Sequence, residues 1–453
     1  MPFSEQSLAT QLVGLLPAGS GAGRLLIAFS GGLDSCVLLH AMQRLRNHFP
    51  ESEIVAIHVN HGLSHNADVW QAFCENTCAQ LGISLHVERV QIERGSGASL
   101  ENVAREKRYS VFSDYLQAGD SLLMAHHLDD QSETFLLRTL RGAGPRGLSA
   151  MPARRVLGKG VLIRPLLMFG REELEDWARK QQLEWIDDES NASTVFDRNY
   201  VRHEVLPRIA ERWPGYRESW MRSAQLCTEA DALLEELAAQ DYTHVRSPDP
   251  TVISCTGMAG LSEVRQRNLL RYWLGIVGIS EPGWNILTRM VSEVLAASVD
   301  AQPQLSWQTG RGAVVVRRHA SMLYLQQEWP VLESRGDFSW NPPEVLQLVD
   351  NGSVHIEPCR HGLRIGDGQR FVLRYRRGGE ECRLAGRRMR PLKKILHDSG
   401  MAPWLRERLP LVYVDDVLVC IPGVGVCEGW QAHADEPAWQ VIWTPPGLQP
   451  VIE

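Results

Sequence analysis

No Cys-x-x-Cys pair occurs in this chain, although it carries nine cysteines. Cys36, Cys74, Cys78, Cys227, Cys255, Cys359, Cys382, Cys420 and Cys427 are dispersed and odd in number. That pattern argues against a disulfide framework and against a four-cysteine zinc or iron–sulfur centre, and suits a reducing, cytoplasmic setting. Cys74 and Cys78 stand one helical turn apart and are expected simply to pack. Long apolar runs are missing too: none approaches the roughly 18 residues of a membrane span, so no membrane partner is expected. The stretch MPFSEQSLATQLVGLL has no basic start ahead of an apolar block, which is unlike a secretory signal. Its Leu8, Leu12 and Leu15 spacing predicts a short amphipathic helix instead. Internal repeats and low-complexity segments are absent. So is any overall basic excess: the formal net charge is −7, which taken alone argues against a nucleic-acid partner.

The local distribution of charge changes that last point. Residues 370–394, RFVLRYRRGGEECRLAGRRMRPLKK, hold eight Arg and two Lys against two Glu, a local charge of +8. Such a face can grip phosphates within an acidic protein, or can be no more than solvated surface. The 453 residues exceed one ordinary core. Composition and breaks suggest three parts: 1–215, a mostly helical 216–328, and a small mixed α/β domain over 340–453. The stretch EWPVLESRGDFSWNPPEV (328–345) is expected to be a linker.

Residues 24–29, 54–60 and 121–127 are predicted strands, each followed or preceded by helical spacing. The alternation predicts an α/β domain with a parallel sheet and helices on both faces. Ligands of such sheets lie beyond the carboxyl ends of the strands. The segments 30–35, 58–63 and 126–133 all fall at those ends, which points to one shared site. The first of them, Ser30-Gly31-Gly32, is a turn between a buried strand and a helix. It would expose backbone N–H groups at a helix N-terminus, a cradle for phosphate. The Gly-Lys-[Ser/Thr] of the Walker loop is lacking, so a γ-phosphate clamp is not expected. A cradle without that lysine suits cleavage between the α and β phosphates; a plain strand–helix turn would look similar.

The hexapeptide Ser30-Gly31-Gly32-Leu33-Asp34-Ser35 matches SGGxDS and resembles the signature of the PP-loop ATP pyrophosphatases. Further blocks narrow the resemblance: HVNHGL (58–63), AHHLDDQSETFLLRTLRGAGPRGL (125–148), RPLL (164–167), the Asp-Glu-Ser-Asn and Asp-Arg-Asn segments (188–199), and PLKKILHDSGMAPWLRERLPLVYVDDVLVCIPGVGV in the C-terminal part. In order and content they are similar to the tRNA(Ile)-lysidine synthetase family, nearly end to end. The resemblance implies an adenine-nucleotide α-hydrolase-like catalytic domain with two tRNA-binding domains. It implies ATP and Mg²⁺, with residues 30–35 at the phosphates and Asp34 toward the metal.

Several residues keep two readings. Asp130 and Glu133 fit a D-x-x-E capping box, or catalytic carboxylates, or both. His126 and His127 beside Asp129 could suggest zinc, but neighbours on a strand face opposite ways, so at most one would face the site. Glu101 and Arg105 form an i,i+4 pair on a helix, which could be only a salt bridge; the family pattern places Arg105 near the cleft. Arg141 and Arg146, in the loop RGAGPRG, could meet RNA or water. Asn191, Arg198, Asn199 and Arg202 match family blocks, although the two asparagines also suit turns.

The implied reaction is adenylation of the C2 oxygen of the wobble cytidine in a tRNA(Ile) with a CAU anticodon. The ε-amine of free L-lysine then displaces AMP. An ordinary lysine amine has a pKa of about 10.4, so a carboxylate must orient it and take or pass on a proton. Asp130 and Glu133 are the candidates, Asp130 ahead. Arg202, with Arg387, Arg388, Arg390, Lys393 and Lys394, would contact tRNA phosphates. No obligate protein partner is implied. A tRNA thiolase of the same superfamily is the alternative, and the dispersed cysteines count against it. Pro2 excludes an N-terminal catalytic cysteine for an amidotransferase. A non-catalytic RNA-binding protein that merely keeps ATP is disfavoured by intact Asp34, Asp130 and Glu133.

Overall fold

The structure is a computed structural model. It describes residues 2–17, 23–62, 64–91, 100–187, 193–280, 282–298, 301–310, 312–332, 336–366 and 368–447. Two compact units result, residues 1–233 and 234–453. Among the described residues no helix is long and apolar enough to cross a membrane.

The first unit runs α1 (Glu5–Leu15), β1 (Leu25–Ala28), α2 (Leu33–Arg44), β2 (Ile54–Asn60), α3 (Ala67–Leu81), β3 (Ser84–Arg89), α4 (Leu100–Tyr115), β4 (Ser121–Leu123), α5 (Leu128–Leu140), α6 (Pro145–Leu148), β5 (Arg154–Leu157), β6 (Gly160–Ile163), α7 (Arg171–Lys180), α8 (Asp197–Tyr200), a π-helical turn (Val201–Val205), α9 (Leu206–Arg212) and the start of α10 (Tyr216–Thr243). The sheet order is β3-β2-β1-β4-β6-β5. All neighbours are parallel except the edge pair β5–β6. Strand alternation feeds two cores. Leu25 and Ile27 pack with Leu8, Leu12, Leu38 and Trp177 on one face, while Leu26 packs with Phe112 and Leu116 on the other. Burial of β1 on both faces is why LLIA is apolar without a break. The expected helix at Leu8 and Leu12 is present, opened by a Ser4–Ser7 capping box, and Cys74 and Cys78 are buried as expected.

Two expectations need correcting. β4 ends at Leu123, so His126 and His127 lie beyond the strand and its alternation does not govern them. The stretch 328–345 is not wholly a linker. Phe338–Trp340 forms an edge strand, β7, paired antiparallel with Phe371–Leu373. Trp340 is buried among Phe371, Leu373 and Val412. Proline and glycine on either side masked a three-residue apolar alternation in FSW.

The second unit holds separate apolar cores. One spans Val245 to Leu325, where helix Glu263–Ile276 packs on the antiparallel sheet that includes Gly312–His319 and Met322–Gln327. Two more lie between Trp340 and Trp443. The basic stretch 370–394 supplies a half-buried strand, Phe371–Arg374, a short antiparallel pair of Glu381–Cys382 with Arg390–Pro391 around the buried Cys382 and Leu384, and the start of a short helix, Leu392–Asp398.

Candidate active site

The glycine turn stands at the carboxyl end of β1, the strand between β2 and β4. Gly31 has φ +84°, a backbone region that a side chain strains. A Cβ there would lie 2.6 Å from Ile186 Cδ1 and 3.2 Å from Cys74 Sγ. The Ile186 N–H donates to the Gly31 carbonyl at 2.9 Å, pinning a later segment under the turn. Ser35 Oγ donates to the Gly32 carbonyl at 2.9 Å and lies 3.1 Å from Ser30 Oγ, so the two serines brace the loop from within. Gly32 is the N-cap of α2 and offers no side chain to the first-turn N–H groups. Those groups have no intrahelical acceptor and carry the positive end of the helix dipole. Gly31→Ala is therefore expected to raise the KM for ATP about tenfold or more, with a lowered melting temperature, because both the φ and the contact with Ile186 must give. Steady-state kinetics with a thermal melt checks it.

Beside this turn, α5 begins with His127 as its N-cap. The Asp130 N–H points to His127 Nδ1 at 3.4 Å, and the His127 N–H donates to Asp130 Oδ2 at 3.1 Å. The capping box is thus His127 with Asp130, not Asp130 with Glu133. His127 Nε2 also lies 3.6 Å from Asp34 Oδ2 and 3.4 Å from Asp130 Oδ2. One buried imidazole therefore bridges the glycine turn and α5. Burial works against its charge, but Asp130, Asp34 and Asp129 together raise its pKa above the ordinary value.

Asp130 and Glu133 sit one helical turn apart and are gripped by two arginines. Arg198 Nε donates to Glu133 Oε2 at 2.7 Å and Arg198 Nη2 to Asp130 Oδ1 at 3.0 Å. Arg202 Nε donates to Glu133 Oε1 at 2.6 Å and Arg202 Nη2 to Asp130 Oδ1 at 3.2 Å. Glu133 is wholly buried with both oxygens engaged. Burial alone would lift the Asp130 carboxyl, yet His127, Arg198, His126 and Arg202 hold it well below the usual carboxylate range. The π-helical turn at Val201–Val205 follows α8 directly and carries Arg202 next to Arg198 on the same two carboxylates. Such turns recur at functional sites.

Asp34, Asp130, Glu133 and Arg202 thus come together with the turn. Arg105 stacks on Tyr109, its guanidinium 5.1 Å from the ring centre. Arg141 and Arg146 are exposed at the end of α5 and in α6; the predicted loop contains a short helix there. Arg138, from α5, holds that segment through the Gly147 and Ala150 carbonyls, both at 2.7 Å. Asn199 donates to the Ser193 carbonyl at 2.9 Å, a turn-type role. Asn191 and the Glu101 side chain lie outside the described residues. Among the described residues no cluster of three or more His, Cys, Asp and Glu could hold a metal, so the zinc reading of His126 and His127 gains nothing. Asp34 Oδ1, however, is buried without a hydrogen-bond partner. An orphaned carboxylate oxygen beside a phosphate cradle fits a Mg²⁺ shared with nucleotide phosphates.

The sequence did not single out His127 as a bridge, nor Arg217, whose Nε donates to Asp129 Oδ1 at 2.6 Å. His127 was visible in HHLDD once a helix start was placed after it. Arg217, 88 residues from its partner, carried no local signal. In the C-terminal part, Arg374 and Arg377 are tied to Asp337, and Arg374 also to Asp416. Arg390 is tied to Asp398 at 2.7 Å. Arg387, Arg388, Lys393 and Lys394 are exposed and pair with no carboxylate among the described residues.

A parallel sheet with a lysine-free phosphate turn and a carboxylate cluster at its carboxyl edge defines a PP-loop nucleotide-binding protein. Residues 4–209 match the family model of that description, the PP-loop domain. Residues 253–324 match the TilS substrate binding domain and 371–443 the TilS substrate C-terminal domain. The chain is 40% identical over 424 residues to a tRNA(Ile)-lysidine synthase of Coxiella burnetii, covering 93% of each. It is 40% identical over 438 residues to that of Serratia proteamaculans, covering 96% of this chain and 98% of the relative. The chain belongs to the tRNA(Ile)-lysidine synthase family. Among solved structures, the U34-tRNA thiolase NcsA of Methanococcus maripaludis aligns at TM-score 0.40 and 17% identity, over 49% of this chain and 79% of its own, too slight a likeness to bear on chemistry.

Proposed function

We propose that the protein is an ATP-dependent, AMP-forming carbon–nitrogen ligase that converts the wobble cytidine of a tRNA(Ile) with a CAU anticodon to lysidine, using free L-lysine. The carrying observation is the bridge from Asp34 through His127 to Asp130, which sets the phosphate turn against the carboxylate cluster. Full-length similarity to curated synthases supports the reaction class.

Two displacements share the cleft. The turn and the first N–H groups of α2 hold the phosphates of ATP, and the cytidine C2 oxygen attacks the α-phosphorus with loss of pyrophosphate. A Mg²⁺ at Asp34 would neutralise charge on those phosphates. The lysine amine then attacks C2 and AMP departs. Asp130, kept ionised at any physiological pH, is suited to orienting the incoming ammonium. Such an acidic carboxyl is a weak proton acceptor, so the proton passes onward to solvent. Glu133 acts through Arg198 and Arg202, which it fixes. The target base must leave its stack, which an anticodon loop makes inexpensive. We keep the three-part division at 1–215, 216–328 and 340–453, with the last two parts holding tRNA, and a cytoplasmic location, in line with nine free cysteines.

Incubating enzyme, ATP, labelled lysine and the tRNA transcript tests the reading. Stable label in RNA with AMP release supports it. Labelling from a sulfur donor alone would support thiolation, and neither product would leave only an RNA-binding protein. The C-terminal patch gives a separate expectation. Replacing Arg387, Arg388 and Arg390 by Ala should weaken tRNA binding roughly tenfold at 150 mM salt and shallow the log–log salt slope by about 2, since Arg390 is partly committed to Asp398. An unchanged slope would remove the patch from the interface.

A further inference from the structure

One cationic cluster in the first unit is left unused by the reaction as described. Tyr109 of α4 sits among three guanidinium groups. Arg105 and Arg155 each place theirs 5.1 Å from the ring centre. Arg105 and Arg164 each approach the phenol oxygen at 3.5 Å. The hydroxyl itself points to Met124 Sδ at 3.7 Å. None of the three arginines pairs with a carboxylate among the described residues. A ring face and a phenol oxygen are modest compensation for three like charges.

A second observation is independent of that charge. Arg164 is only 3% exposed, and its Nε is buried with no hydrogen-bond partner. Its Nη1 is spent on the Pro152 carbonyl at 2.6 Å, which fixes the side chain. The neighbouring His126 Nδ1 is likewise buried and unpartnered. Arg164 follows β6, and His126 follows β4, so the cluster sits on the same carboxyl edge of the sheet as the glycine turn. Arg105 and Arg155 are exposed, which leaves the cluster open on one side. Unpaired donors at the floor, exposed cations at the mouth and no carboxylate paired with the three arginines among the described residues are the makings of an anion site.

We propose that Tyr109, Arg155 and Arg164, together with Arg105, form an oxyanion-binding subsite beside the reaction centre. Its ligand is a phosphodiester of the RNA strand or the carboxylate of the free amino acid. The proposal rests on the function above only for the source of the ligand; the anion site itself does not depend on it. Arg164 supplies the fixed floor, and Arg155 closes over the anion from the rim.

Inorganic sulfate is the first probe, titrated calorimetrically into the full chain with pyrophosphate saturating the glycine turn. In Arg155→Ala and Tyr109→Phe, the sulfate Kd should rise about fivefold over the unsubstituted protein. Arg155 lies at the surface, so its removal leaves packing intact, and equal melting temperatures check this. An unchanged Kd in both variants overturns the site. Kinetics then identify the source. A raised KM for tRNA with a shallower salt dependence means a phosphodiester. A raised KM for lysine, with turnover of lysinamide unaffected, means a carboxylate. If both KM values stay level while sulfate binding falls, the site takes an adventitious ion only and the proposal fails. Failure of the unsubstituted enzyme to make lysidine would overturn the functional reading and leave the sulfate result standing.

Discussion

Asp34→Ala should cut ATP-dependent pyrophosphate release about 10²–10³-fold while tRNA affinity stays within about twofold. Asp34 occupies the first turn of α2, and its nearest ionic partner is His127 at 3.6 Å. Its Oδ1 makes no hydrogen bond despite burial, so the folded protein gains little from that atom. The carboxylate's use lies in holding a cation against phosphate charge as it builds on the leaving group. Alanine keeps α2 and its dipole, so the nucleotide cradle persists. The loss should therefore appear in kcat for adenylation, with a melting temperature close to that of the parent. Pyrophosphate release near the parental rate would end the case for Asp34, and with it the proposed course of the reaction.

Glu133→Gln is expected to act in the opposite way, through stability first. Both Glu133 oxygens accept short hydrogen bonds from Arg198 and Arg202, and the side chain has no contact with solvent. An amide cannot satisfy two guanidinium Nε–H donors, because one of its ends is itself a donor. Breaking one side of a buried charge cluster costs about 3–5 kcal/mol, which is roughly a 10 °C fall in melting temperature for a unit of this size. Lysidine formation should fall as well, since Arg198 and Arg202 also fix Asp130. A parental melting temperature would show that the cluster contributes no net stability. The same cluster sets an acid limit. The Asp130 carboxyl titrates below its unfolded value of about 3.9, so the folded state binds fewer protons there. Its contribution is fully present above that value and drains away as pH falls further. Asp130→Asn should flatten the loss of stability between about pH 4 and 2 in an acid titration followed by circular dichroism.

Much of the catalytic unit was legible in the residues alone. The apolar run Leu25–Phe29, the Gly-Gly break and the apolar spacing after Asp34 placed a strand, a turn and a helix, and the structure has them there. Recurrence of chemically active residues at three strand ends placed a single site, because parallel strands put all their carboxyl ends on one edge. His127 was misread for a local reason: the strand before it stops after three residues, and the histidine belongs to a helix cap rather than a pleat. Trp340 was misplaced for another, since a three-residue edge strand is too short to show its period.

The sequence alone determined three central strands of the sheet and the glycine turn with its missing lysine, because strand periodicity and glycine placement act over a few residues. Tertiary structure alone decided which charges meet. Arg198 and Arg202 reach Asp130 and Glu133 across more than sixty residues, Arg217 finds Asp129, and Arg155 and Arg164 gather on Tyr109. Those pairings depend on where the chain returns in space, and only burial of apolar faces against one another fixes that.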